Sequence, residues 1–218
     1  MKIRLFVVLS IFSMFVFSCK TTETNTDTIT GMIYDNEGEC VSGVKIFVEG
    51  KLIAQSDLYG HFYVPVNELS ENHQVEFSKE EYEAITMKID PFSSVKMLYV
   101  VMRNYRQILN EIEQSISDGE FGKGLELCHK AKNIKNSVYI DYLESTILIC
   151  SRNYYPAIDI LEKISNGEKA NKYCILLLAD AYERTSQKEK AVVMLKAKSK
   201  EFFDDDISDR LAELCNMN

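Results

Sequence analysis

The chain of 218 residues contains no tryptophan, and its histidines, His61, His73 and His129, lie far apart in the sequence. A hydrolytic site needs a nucleophile with a base and an orienting group, or several clustered metal ligands. The sequence has no GxSxG, HExxH or phosphate-loop pattern. We therefore predict that the protein is not an enzyme, that it needs no cofactor or metal, and that it has no small-molecule substrate.

Positive charge is also scarce. The formal net charge is −8 and the isoelectric point is about 5.1. Because binding to a phosphate backbone requires a basic surface, we predict that the protein does not bind nucleic acid.

Apolar runs long enough to span a bilayer, about 18 residues, are absent after the first residues. At the start, Lys2 and Arg4 precede an apolar run over residues 5–17 that only Ser10 and Ser13 interrupt. This run would form a helix of roughly 20 Å, shorter than a bilayer core of about 30 Å. The pattern predicts an export signal peptide over residues 1–18.

The end of this signal, Val16-Phe17-Ser18-Cys19, resembles the lipobox of bacterial lipoproteins, although Phe17 is bulkier than the residue usual there. The resemblance implies cleavage before Cys19 and acylation of its thiol and its new amine. Residues 19–28 then form an acylated cysteine and a polar tether. We expect a lipid-anchored protein of the cell envelope. The outer membrane is favoured over the inner one because Lys20, and not aspartate, follows Cys19.

No two cysteines stand at CxxC spacing, which argues against a zinc site or a thioredoxin-like motif. Apart from Cys19 there are five, and four of them, Cys128, Cys150, Cys174 and Cys215, lie at apolar positions of helical patterns. There cysteine commonly packs as a small hydrophobic residue. A disulfide between two of these four stays open as an alternative, because an exported protein meets oxidising conditions.

Residues 29–101 contain seven β-rich runs separated by turn residues, a spacing typical of a sandwich. The motifs Ile29-x-Gly31-x-Ile33-x-Asp35, Gly43-Val44 and Ser56-Asp57-x-x-Gly60-x-Phe62 resemble the carboxypeptidase regulatory-like domain. Val75-x-Phe77-Ser78 and Tyr82 continue the likeness, whereas Glu81 stands where that family usually has glycine. The resemblance implies a seven-stranded transthyretin-like β-sandwich that is a non-catalytic accessory.

The alternation of Asp35, Glu37 and Glu39 around a glycine weakly suggests a calcium loop. The full calcium pattern, with a bidentate glutamate at its end, is absent. A solvated hairpin turn explains the same residues, and we favour that interpretation.

Residues 102–218 show helical periodicity and an internal repeat. Small residues recur at the same place in three segments, Gly124, Ala157 and Ala191, with spacings of 33 and 34. This period resembles the tetratricopeptide repeat. The resemblance implies three repeats and a capping helix over residues 205–215, hence an all-β then all-α chain of two domains that ends in a short α-solenoid.

In the tetratricopeptide family the first helix of each repeat lines a concave groove. The matching positions here are Arg106, Leu109, Glu113, Ile116, Tyr139, Tyr142, Thr146, Ile149, Tyr173, Leu176, Asp180 and Glu183. We select six of them as the partner-binding candidates: Arg106, Tyr139, Tyr142, Tyr173, Asp180 and Glu183. The alternative is that the tyrosines only pack between helices.

The sequence thus favours a lipid-anchored adaptor that binds a protein or peptide of the envelope through this groove. One alternative is a structural or assembly lipoprotein that contacts an outer-membrane complex through its β domain. A glycan-binding accessory module is the other, and the absence of tryptophan argues against it.

Overall fold

The computed structural model describes residues 28–69, 74–90 and 97–216. Among these described residues, seven strands lie between 28 and 101 and seven α-helices between 105 and 216, so the β part precedes the α part as the sequence indicates. The predicted signal peptide, the predicted acylation site Cys19 and the predicted tether up to residue 27 lie outside the described residues. No helix in the described ranges is both long and apolar enough to cross a bilayer.

The strands form two small sheets. Their bounds are β1 (Thr28–Tyr34), β2 (Lys45–Val48), β3 (Lys51–Gln55), β4 (His61–Pro65), β5 (Gln74–Ser78), β6 (Ile85–Lys88) and β7 (Met97–Val101). One sheet has the order β4-β1-β7 and the other the order β3-β2-β5-β6. Strand β1 pairs antiparallel with β4 and parallel with β7.

The prediction of a seven-stranded transthyretin-like β-sandwich is wrong. The strands are four to seven residues long and divide into a three-stranded and a four-stranded sheet, which do not form one closed seven-stranded arrangement. The apolar runs indicate where strands occur. They do not specify the partners, because pairing depends on contacts between segments far apart in sequence.

The core between these strands follows the alternation of the sequence. Val44, Ile46 and Val48 are buried, as the apolar face of this segment predicts. The rings of Phe62 and Phe77 meet edge to face with centroids 5.4 Å apart. These residues belong to one hydrophobic cluster that includes side chains of both sheets.

The helices repeat at the period seen in the sequence. Their bounds are α1 (Tyr105–Ser117), α2 (Phe121–Ile134), α3 (Val138–Cys150), α4 (Tyr154–Ser165), α5 (Lys172–Arg184), α6 (Lys188–Phe202) and α7 (Asp205–Asn216). The first residues of α1, α3 and α5 are 33 and 34 residues apart, and so are those of α2, α4 and α6.

Equivalent N-caps begin the odd-numbered helices. Asn104, Ser137 and Asn171 each accept a hydrogen bond from the backbone N–H three residues further on. Such caps satisfy amide groups that have no partner within the helix, and each stabilises the helix by about 1 kcal/mol. The repeat therefore recurs in the local start signals as well as in the helix lengths.

Each helix packs against the next along the chain. In addition α1 contacts α3, α3 contacts α5, and α5 contacts α7, whereas contacts between the described even-numbered helices are fewer. The odd-numbered helices are therefore closer together and form the inner side of the stack. The small residues Gly124, Ala157 and Ala191 are buried where the paired helices approach.

Arg103 joins the β part to the α part. Its guanidinium bonds the Glu83 carboxylate at 2.5 and 3.0 Å and the Glu111 carboxylate of α1 at 2.8 Å. Asn36 donates from its amide to Glu111 at 2.8 Å, and Lys130 of α2 lies 3.6 Å from Glu83. These partly buried charges fix α1 and α2 against the loops of the β part.

Candidate functional site

The six candidate residues all lie on odd-numbered helices. Arg106 is on α1, Tyr139 and Tyr142 are on α3, and Tyr173, Asp180 and Glu183 are on α5. We call the surface that carries these six residues the odd-helix face. Because α1, α3 and α5 contact one another in order, this face is continuous along the inner side of the stack.

Tyr139 is an exposed aromatic residue of this face, with 45% of its surface accessible. Its hydroxyl donates to the Glu113 carboxylate of α1 at 2.6 Å. This hydrogen bond, together with partial burial, raises the pKa of Tyr139 to about 12. The contact holds the ring in one orientation across two helices, which lowers the entropy lost when a ligand packs on it.

Tyr142 has a different role. Its ring stacks on that of Tyr139 with centroids 6.4 Å apart, and it packs against the hydrophobic clusters on both sides of α3. The half-buried Tyr142 thus packs between helices, whereas its role in binding stays a prediction. Its ring also contacts the ring of Tyr139 and helps to hold it in place.

Tyr173 occupies in α5 the position that Tyr139 has in α3, and 62% of its surface is accessible. The ammonium group of Lys172 lies 5.6 Å from the ring centroid. Lys172 also pairs with Asp206 at 2.7 Å and Asp204 at 3.3 Å, at the start of α7. The Tyr173 ring therefore lies beside the ion pairs of Lys172 that link α5 to the start of α7.

The two acidic candidates are engaged in ion pairs within the helical part. Asp180 accepts from Arg184 at 2.8 Å, and Glu183 accepts from Arg210 of α7 at 2.5 Å. Arg106 lies exposed at the α1 end of the face. The charges of Asp180 and Glu183 are therefore partly neutralised, and the tyrosines form the most accessible apolar part of the odd-helix face.

The other candidate chemistry has little geometric support. Asp35 accepts hydrogen bonds from the backbone N–H groups of Glu37 and Glu39, as in a capped turn. Within the described ranges no three His, Cys, Asp or Glu side chains are grouped so that they could hold a metal ion. Burial raises the pKa of the Cys128 thiol to about 12 and also raises that of Cys174, which makes both thiols poor nucleophiles at neutral pH.

Neither known protein families nor curated proteins match this sequence. The resemblances to lipoproteins, to the carboxypeptidase regulatory-like domain and to tetratricopeptide repeats therefore stay predictions. The odd-helix face is defined by its geometry alone.

Sequence reasoning missed one further surface, the outward side of the three-stranded sheet. Its residues alternate with the buried ones along β1, β4 and β7, so the period of two was a usable signal. Which strands lie side by side could not be read from the sequence, and the surface emerges only from the register. Its apolar and aromatic members are Met32, Tyr34, Tyr63, Met97, Tyr99 and Val101, and Thr28, Thr30, His61 and Pro65 lie on the same side.

Proposed function

We propose that the chain is a non-enzymatic, lipid-anchored envelope protein that binds a protein partner through the odd-helix face. The observation that carries the proposal is the pair Tyr139 and Tyr173. They stand at equivalent positions of two neighbouring helices, both exposed, on the inner side of the stack.

Tyrosine suits such a surface because it offers a large amphipathic contact area and loses little conformational entropy on binding. Exposed aromatic residues at equivalent positions of stacked helices present a row of contacts about one helix spacing apart, roughly 8–10 Å. An extended peptide can place alternate side chains on such a row.

Charge indicates what kind of segment fits. Asp180 and Glu183 already have arginine partners, whereas the Glu113 carboxylate accepts from the neutral phenol of Tyr139. A partner segment with apolar side chains and a basic residue near Glu113 would match this face. The net charge of −8 also favours association with a basic partner.

The remaining parts of the chain support this role. The predicted acyl chains on Cys19 would hold the protein at the membrane, since each buried CH₂ contributes about 0.8 kcal/mol. The charged contacts around Arg103 keep the helices in a fixed orientation relative to the β part. The β part then acts as a rigid spacer between the anchor and the binding face.

The proposal is tested by crosslinked co-purification from the native envelope. The variant is Tyr139→Ala with Tyr173→Ala, and Tyr142 is left intact because its half-buried ring packs against two hydrophobic clusters. A matched control is Tyr155→Ala, which removes a tyrosine with 68% exposure from α4. We expect a partner that the wild type and the control capture and that the double variant loses, while the double variant, which also lacks the Tyr139–Glu113 hydrogen bond, stays folded at the temperature of the assay.

Capture of the same proteins by all three forms would overturn the proposal for the odd-helix face. Loss of capture in the double variant accompanied by a large fall in melting temperature calls for the milder pair Tyr139→Gln and Tyr173→Gln, which removes the rings but keeps long side chains of good helix propensity. These must still lose the partner for the proposal to hold.

A further inference from the structure

We propose that the outward side of the three-stranded sheet rests on the membrane at the level of the lipid headgroups. We call this surface the outer sheet face; its apolar and aromatic residues are Met32, Tyr34, Tyr63, Met97, Tyr99 and Val101, and Thr28, Thr30, His61 and Pro65 complete it. The inference rests on the proposed acylation of Cys19 and adds a second contact between the protein and the bilayer.

The composition of the outer sheet face is unusual for a solvent-facing side of a sheet. In the register, Met32 lies between His61 and Tyr99, and Tyr34 lies beside Val101. Tyr63 and Tyr99 are 58% and 60% exposed. None of the described residues that point outward from this sheet is acidic or basic apart from His61.

The second sheet of the same β part provides an internal comparison. Its outward positions include the exposed Lys45, Glu76 and Lys88, which is the ordinary polar alternation of a solvated sheet. The outward side of the four-stranded sheet therefore carries charged residues that suit contact with water, whereas the outer sheet face does not. An exposed apolar patch with a rim of polar residues marks a contact surface.

The tyrosine hydroxyls have weak partners. Tyr34 donates to the sulfur of Met32 at 3.0 Å, and Tyr99 donates to the sulfur of Met97 at 3.2 Å. A thioether is a weak acceptor, so exchange for a phosphate or ester oxygen of a lipid is favourable. Tyrosine is enriched where hydrocarbon meets water, because its ring is apolar and its tip is polar.

The short distance in sequence between Cys19 and the three-stranded sheet favours the membrane as the surface that the outer sheet face contacts. Strand β1, the central strand of this sheet, begins at Thr28, nine residues after Cys19. Nine residues reach at most about 30 Å. The anchor would thus hold the sheet at a millimolar effective concentration relative to the bilayer, so a weak interfacial attraction is sufficient.

Charge is compatible with this orientation. The chain carries a net charge of −8, and a surface with acidic groups would be repelled by anionic lipids. The outward positions of β1, β4 and β7 carry no carboxylate, so the centre of the outer sheet face can approach such lipids. The Asp57 carboxylate, 3.5 Å from His61 Nδ1, lies at its edge.

The absence of tryptophan allows a site-specific test with the full-length acylated protein. Tyr99→Trp and Tyr63→Trp place a single fluorophore on the outer sheet face, and Tyr155→Trp places one at a similarly exposed site of α4. Each protein is reconstituted into vesicles of phosphatidylethanolamine, phosphatidylglycerol and brominated phosphatidylcholine. We expect a blue shift and about twofold quenching at positions 99 and 63, and neither at position 155.

Mass spectrometry of the N-terminal peptide separates the two proposals. If Cys19 is acylated and the Tyr99→Trp protein is quenched no more than the Tyr155→Trp protein, this inference is overturned and the proposed function stands. If Cys19 carries no acyl chain, the anchor and this inference both fail. If the tryptophan fluorescence of the Tyr99→Trp protein shifts to the blue only when another protein is added, and not with lipid alone, the outer sheet face binds a protein partner. This result would also overturn the inference.

Discussion

The hydroxyl of Tyr139 donates to the carboxylate of Glu113 at 2.6 Å and so links α3 to α1 across the odd-helix face. The two residues are 26 positions apart in sequence and belong to different repeats. This contact holds Tyr139 in place near the start of α3, the position at which α5 has Tyr173. It also raises the pKa of Tyr139, which can be measured at alkaline pH.

Tyr139 is expected to ionise later than an ordinary tyrosine. Its pKa rises from 10.0 to about 12 because the neutral phenol donates to Glu113. A raised pKa in the folded state means that the contact stabilises the fold fully below pH 10, and that this contribution is lost as the pH rises from 10 to 12. The ultraviolet titration of wild type minus Tyr139→Phe should show a tyrosinate step near pH 12. A step near pH 10 would contradict the contact.

Arg103 should couple the two parts of the chain in unfolding. The side chains of Arg103 and Glu83 are each 22% exposed, so removing the guanidinium leaves Glu83 and Glu111 partly buried without their main partner. We expect Arg103→Ala to lower the free energy of unfolding by about 1–3 kcal/mol, between the values for exposed and for buried pairs. Urea unfolding followed by circular dichroism measures it.

The matched control for Arg103 is Lys123→Ala, which breaks the exposed pair with Glu120. It should leave the urea midpoint almost unchanged. Equal midpoints for Arg103→Ala and wild type would show that the junction contributes nothing to stability.

Gly124 and Gly122 lie in the same helix and should respond to alanine in opposite ways. A Cβ atom at Gly124 would lie 2.6 Å from Ser115 Oγ and 2.8 Å from Ile147 Cδ1, and both of these residues are buried. We expect Gly124→Ala to destabilise the protein by roughly 1–3 kcal/mol.

At Gly122 a Cβ atom meets nothing within 4 Å. Gly122→Ala should therefore raise stability by up to about 1 kcal/mol through helix propensity. Thermal unfolding of the two variants side by side measures the difference. If Gly124→Ala were the more stable variant, the close approach of α2 to α1 and α3 would be wrong.

The thiols should fall into two reactivity classes. Cys40, Cys150 and Cys215 are exposed, whereas Cys128 and Cys174 are buried and have raised pKa values. Brief alkylation at neutral pH should modify the exposed thiols in the native protein, and the two buried thiols only after denaturation in urea. Native labelling of Cys128, read by mass spectrometry of its peptide, would contradict the packing of α2.

The sequence was informative where the signal is local. Helix starts at Tyr105, Val138 and Lys172 follow the period indicated by Gly124, Ala157 and Ala191, because small residues are needed wherever paired helices approach closely. The burial of Val44, Ile46 and Val48 follows from alternation along one strand. Such patterns depend only on neighbouring residues.

Predictions from the sequence were wrong, or could not be made, where the structure depends on contacts between segments far apart in the chain. The parallel pairing of β1 with β7 joins residues about 67 positions apart, and the predicted single sandwich failed there. The same register brings Tyr63 and Tyr99 onto one face, which no local pattern indicates. At Glu81 the backbone adopts φ 64°, a left-handed conformation that favours glycine and that a glutamate does not indicate.

The most direct measurement of the central claim is photocrosslinking in the native envelope from single positions of the helical part. A photoreactive amino acid replaces Tyr173 on the odd-helix face or Tyr155 on α4, two tyrosines of similar exposure. We predict a defined crosslinked protein from position 173, which is lost when Tyr139→Ala is added, and no crosslink to that protein from position 155. Crosslinks to the same proteins from both positions, or none from position 173, would contradict binding at the odd-helix face.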